Sequence, residues 1–118
     1  MKRFLWLMTA FFIMMPSFAT AAELKFGVLP RLPEKELIDM FSPLAEYLGA
    51  ETGVKVTLII PKDFDSYTKQ AIAGDFDIGF TNPYVYVAIK KAAPKAEPLA
   101  LASEPESGTK LRGVFIVA

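Results

Sequence analysis

Along the chain the spacing of apolar positions alternates between two periods. The runs LKFGVL at 24–29 and KVTLII at 55–60 are short, apolar and closed by Pro30 and Pro61. FDIGF at 76–80 alternates apolar with small or polar residues. All three have the length and composition of strands, and PLALA at 98–102 is a weaker fourth. Between them the period lengthens to about 3.6 residues. Leu37, Phe41, Leu44 and Leu48 recur at steps of four, three and four, with Ile38, Met40 and Ala45 widening the stripe, so an amphipathic helix is expected over 34–50. Glu34 and Glu36 suit the positive end of its dipole, Pro33 its first turn, and Gly49 or Gly53 its exit. Asp65-Ser66 can cap a shorter helix that runs through Gln70 and Ile72 and ends at Gly74. Asn82-Pro83 opens a third, with Lys90 and Lys91 in its last turn and Pro94 as its stop.

Strands alternating with helices point to an α/β fold, a mostly parallel sheet with helices on both faces, because parallel neighbours need a crossover and the crossover is normally a helix. After the polar stretch SEPESGTK at 103–110, GVFIVA at 113–118 reads as a further strand. An apolar strand there has little local cover, which suggests that the 118 residues are the truncated first part of a larger fold. A small, complete flavodoxin-like domain is the competing arrangement.

The first 21 residues stand apart. Lys2 and Arg3 precede an apolar stretch that Pro16 closes, and Ala19-Thr20-Ala21 offers small residues at a signal peptidase's spacing. The stretch is shorter than the roughly 20 residues that span a bilayer, so residues 1–21 read as a cleaved signal peptide and residues 22–118 as the exported domain. Without Lys2 and Arg3 the remainder carries 11 basic against 13 acidic side chains, a net −2, which gives no electrostatic reason to bind nucleic acid. The chain has no cysteine and no histidine. Disulfides, thiol catalysis and the commonest general base and metal ligand are thereby removed. No catalytic triad, phosphate loop or dinucleotide fingerprint is present either, so neither an enzyme nor a cofactor or metal site is expected.

What remains is binding. Ligands of open parallel sheets sit beyond the carboxyl ends of the strands, where connections diverge to opposite faces. Three corners fall at such ends: Pro30-Arg31-Leu32-Pro33, Pro61-Lys62-Asp63-Phe64 and Thr81-Asn82-Pro83-Tyr84. Arg31 offers a guanidinium, Thr81 a hydroxyl, Asn82 an amide, and Phe64 and Tyr84 aromatic walls. The helix after Asn82 would aim its free amides at the same cleft. Asn82 before Pro83 is equally an ordinary helix cap.

Taken together, FGVLP at 26–30, the run FSPLAEYLGAETGVKVTLIIPKDFDSYTKQAIAGDFDIGFTNPYVYVA at 41–88 and GTKLRGVFIVA at 108–118 resemble the substrate-binding proteins of phosphate, phosphite and phosphonate ABC transporters. The resemblance implies the first lobe of a two-lobed, type II periplasmic-binding-protein fold. It also implies a small anionic solute as ligand, an ABC permease in the membrane as partner, a periplasmic location, and a monomer when complete. The family often has Asp-Tyr where this chain has Asp63-Phe64, and glycine near Asn82. Its phosphate cradle lies downstream in the second lobe, so residues 22–118 alone should bind weakly. The same lobe in a membrane signalling protein is the alternative use.

Overall fold

The computed structural model describes residues 22–103 and Gly108. The expected leader at 1–21 and closing strand at 113–118 lie outside the described residues. Six elements follow in order: β1 (Glu23–Val28), α1 (Glu34–Thr52), β2 (Lys55–Ile59), α2 (Phe64–Ala73), β3 (Ile78–Phe80) and α3 (Pro83–Ala92). The strands form one sheet in the order β2-β1-β3, and β1 pairs parallel with both neighbours. Leu24 lies opposite Val56, and Gly27 lies opposite both Ile59 and Gly79.

Alternation along the central strand divides its side chains between two cores. Phe26 and Val28 face α1 and bury Leu37, Phe41 and Ala45, with Leu58, Ile78 and Phe80 packed at the margin. The Phe41 ring meets Phe26 edge-on at 6.0 Å and lies 4.8 Å from Phe80, which ties α1 across β1 to β3. On the opposite face Leu29 is buried with Tyr67 of α2 and with Val85 and Ile89 of α3, and Phe76 and Ala71 pack against them. Helices thus cover both faces, as the sequence pattern requires.

The second face is shaped by two glycines. A β-carbon added at Gly27 would stand 2.7 Å from Phe76 Cε2 and closer still to Cδ2, and one added at Gly79 would stand 2.8 Å from the Tyr67 hydroxyl. Because Gly27 and Gly79 are register partners, together they form a notch in the sheet. The rings of Phe76 and Tyr67, 5.3 Å apart, sit in it.

Four expectations need correction. β3 starts at Ile78 rather than at 76, and Phe76 lies on the opposite face from Ile78 and Phe80. Asp77 accounts for the late start: its N–H donates to Lys25 O at 2.9 Å and its carboxylate accepts from Lys25 N–H at 2.7 Å, a doubled link to β1 immediately ahead of the strand. The α2 cap is Asp63, not Asp65-Ser66: its carboxylate accepts from Ser66 N–H at 2.7 Å, so the helix begins at Phe64. Pro33 is the residue before α1, not its first turn, and that helix continues through Thr52 to Gly53, whose φ of 69° favours glycine. Residues 98–102 form no strand, and Leu99 and Leu101 are exposed. The chain leaving α3 is held by Lys90 instead, whose Nζ donates to Pro94 O, Ala96 O and Glu97 Oε1 at 2.7–2.9 Å.

Candidate functional site

The chain leaving β1 crosses through α1 to β2, whereas the chain leaving β3, on the other flank of β1, enters α3. α1 covers one face and α3 the other, so the carboxyl ends of β1 and β3 border the crevice at which parallel sheets take ligands. Backbone geometry locks these ends together. Leu29 N–H donates to Phe80 O at 3.0 Å, and Arg31 N–H donates to Leu29 O at 2.8 Å, turning the chain sharply at the rim.

That turn brings the Arg31 guanidinium over the Phe80 ring, 5.7 Å from its centroid, with Nη2 4.0 Å from Met40 Sδ. An exposed stacking contact of this kind contributes about 0.5–1 kcal/mol and leaves the charge available, since Arg31 has no carboxylate partner among the described residues. Next to Phe80, Thr81 Oγ1 is buried and meets no hydrogen-bond partner among the described residues. A buried hydroxyl left unpaired costs about 1–3 kcal/mol. Asn82 follows as the cap of α3, extended at φ −87° and ψ 162°, its Oδ1 accepting from Val85 N–H at 2.8 Å and Pro83 filling the first helical position. The Tyr84 amide, in the first turn, has no acceptor within the helix.

Of the five candidates, the fold gathers Arg31, Thr81 and Asn82 at the β1 and β3 ends. Phe64 follows the carboxyl end of β2, on the other flank of β1, half-exposed at the start of α2. Tyr84 is 84% exposed and lines no wall among the described residues. Asp63 and Asp77 have structural roles. Hydrogen bonds from Ser66 hold Asp63 below the usual carboxylate range, and Asp77 secures β3 to β1.

The sequence pattern missed Tyr67. Its side chain is 1% exposed, and its hydroxyl rests on Gly79, two residues before Thr81 and on the same face of β3. Burial pushes the phenol up to about 12, opposed by the adjacent Thr81 hydroxyl, so Tyr67 stays protonated throughout the physiological range. The two hydroxyls are neighbours, with no hydrogen bond closed between them. No cluster of three or more metal-ligating side chains occurs among the described residues. The groove of about 430 Å³ between α1 and β2, lined by Ile38, Ala45, Val56 and Leu58, lies away from this rim.

The sequence profile of the phosphonate ABC-transporter periplasmic substrate-binding proteins matches residues 26–118. A phosphate-import protein of Mycolicibacterium smegmatis is 28% identical over 82 residues, which cover 70% of this chain and 26% of that protein. The fold is similar to that of a binding-protein component of an ABC phosphonate transporter from Pseudomonas aeruginosa, with a TM-score of 0.59 and 15% identity over 62% of this chain and 24% of the other. The chain therefore spans about a quarter of the length of each. On the profile match over most of its length, supported by the shared parallel α/β fold, this chain belongs to the phosphonate ABC-transporter family of periplasmic substrate-binding proteins.

Proposed function

We propose that residues 22–118 form the first lobe of an exported solute receptor that takes a phosphate, phosphite or phosphonate oxyanion and delivers it to an ABC permease. Residues 1–21 act as the export signal, and the receptor works as a periplasmic monomer. The observation that carries this reading is the placement, along the rim where β1 and β3 end, of an arginine with no acidic partner and a buried hydroxyl with no partner among the described residues, together with the amino end of α3. Each is a hydrogen-bond donor or a positive charge, and an oxyanion supplies the acceptors all three lack. In this arrangement Arg31 neutralises charge, Thr81 donates to one oxygen, and the Tyr84 N–H at the start of α3, left free by the Asn82 cap, donates to another. Phe64 and Tyr84 border the rim. A hydrogen bond to a charged group contributes about 1.5–3 kcal/mol, so a few from one lobe give only modest affinity and closure of a second lobe supplies the rest.

Calorimetric titration of the full-length protein with phosphate, phosphite and methylphosphonate tests the reading. At least one of the three is expected to bind with a Kd in the micromolar range or below, with residues 22–118 alone binding it at least about a hundredfold more weakly. Absence of heat with all three, alongside binding of a cationic or neutral solute, contradicts it.

A further inference from the structure

The notch that two glycines cut into the sheet has a consequence at the rim. Gly79 lacks the side chain that would otherwise block Tyr67, so the Tyr67 hydroxyl reaches the end of β3 and lies beside the next side chain on that face, Thr81. Thr81 Oγ1, buried there, has no hydrogen-bond partner among the described residues. A threonine hydroxyl has a single proton and two acceptor lone pairs, whereas a protonated phenol offers one proton of its own.

We propose that Tyr67 is a positioning residue for the oxyanion: when the ligand draws the single Thr81 proton into the cleft, the Tyr67 O–H donates to Thr81 Oγ1 and occupies the lone pair turned back toward it. The pair then acts as a directional relay, from phenol to threonine to ligand oxygen. Burial keeps the Tyr67 phenol protonated, so the proton it donates is present throughout the physiological pH range. The relay makes the rim a donor site and selects acceptor-rich ligands over ligands that present a donor there. It also assigns a purpose to Gly79, at which alanine would displace the Tyr67 hydroxyl while leaving both functional groups in the chain. The inference rests on the oxyanion reading above and goes beyond it by naming the residue through which Thr81 is oriented.

A double-mutant cycle on the full-length protein, read by calorimetric titration with inorganic phosphate and with methylphosphonate, tests it. Thr81→Val, which keeps shape and removes the hydroxyl, is expected to weaken binding about tenfold or more. Tyr67→Phe, which keeps the ring, is expected to weaken it roughly three- to tenfold with its cooperative melt retained. In the Thr81→Val background Tyr67→Phe should then change Kd by less than about twofold, because the group it acts through is gone. Gly79→Ala should reproduce the Tyr67→Phe loss, and it replaces that variant if Tyr67→Phe fails to fold. Equal losses from Tyr67→Phe in both backgrounds, or no loss in either, overturn the relay while leaving the site intact. No loss from Thr81→Val, or no binding of either anion by the unaltered protein, overturns the oxyanion site and the relay with it.

Discussion

Replacing Gly27 by valine is expected to lower the stability of the domain by about 2–3 kcal/mol, as overpacking of a filled core does. Gly27 lies in the central strand between Ile59 and Gly79, and Phe76 lies directly over it. The clash involves Cγ, Cδ2 and Cε2 of that ring, so no simple rotation of a chain end relieves it. The ring is also backed by Tyr67, 5.3 Å away. Relief therefore requires moving Phe76 and α2 together, or shifting β1 between its two partners. For a domain of this size the melting midpoint should fall by roughly 10–20 °C. Gly27→Val combined with Phe76→Ala should be more stable than the sum of the single effects predicts, by about 1 kcal/mol or more, because the second change vacates the space that the first fills. Melting of Gly27→Val within about 2 °C of the parent would show that Phe76 does not occupy the notch.

Asn82→Asp is expected to separate folding from binding. Aspartate caps a helix as well as asparagine does, and its oxygen can accept from Val85 N–H as Asn82 Oδ1 does now. Its charge also suits the positive end of the α3 dipole, so the melting midpoint should hold or rise slightly. The same charge faces an incoming oxyanion at the rim. Two like charges about 4–5 Å apart near a protein surface repel by roughly 3 kcal/mol, which corresponds to about a hundredfold loss in affinity for phosphate or methylphosphonate. Calorimetry on the full-length variant, alongside its thermal melt, reads both effects. Unchanged affinity would mean that the ligand does not approach the amino end of α3.

The elements that were legible in the sequence are those whose signals are local. The stripe of Leu37, Phe41 and Ala45 defines α1, the β-branched run at 55–60 defines β2, and Asn82-Pro83 sets the start of α3 within one residue. The topology followed because strands separated by helices pair in parallel. Arg31, Thr81 and Asn82 could be placed on one rim because the carboxyl ends of parallel strands share an edge.

The misses are non-local. Phe76 alternates correctly with Ile78 and Phe80, but its face is decided by the space over Gly27, some fifty positions earlier in the chain. Asp63 and Asp65 are equally good caps in isolation, and the structure uses Asp63, whose carboxylate accepts from Ser66 N–H. Residues 98–102 have a strand's composition, but Leu99 and Leu101 are exposed, and Lys90 directs the preceding chain by three hydrogen bonds. Tyr67 was hidden for the same kind of reason. Its hydroxyl reaches the rim only through the notch at Gly79, and the hint available in the sequence was a glycine two positions before Thr81 on one strand face.

The central claim is that an oxyanion binds where β1 and β3 end, and the most direct measurement is a map of backbone amide shifts in the full-length protein as inorganic phosphate or methylphosphonate is added. The account predicts that the largest changes fall at Arg31, Thr81, Asn82, Tyr84 and Val85, with little change along Ala45, Gly49, Val56 and Leu58 in the groove between α1 and β2. Changes concentrated in that groove, with the α3 amino end unmoved, would contradict it.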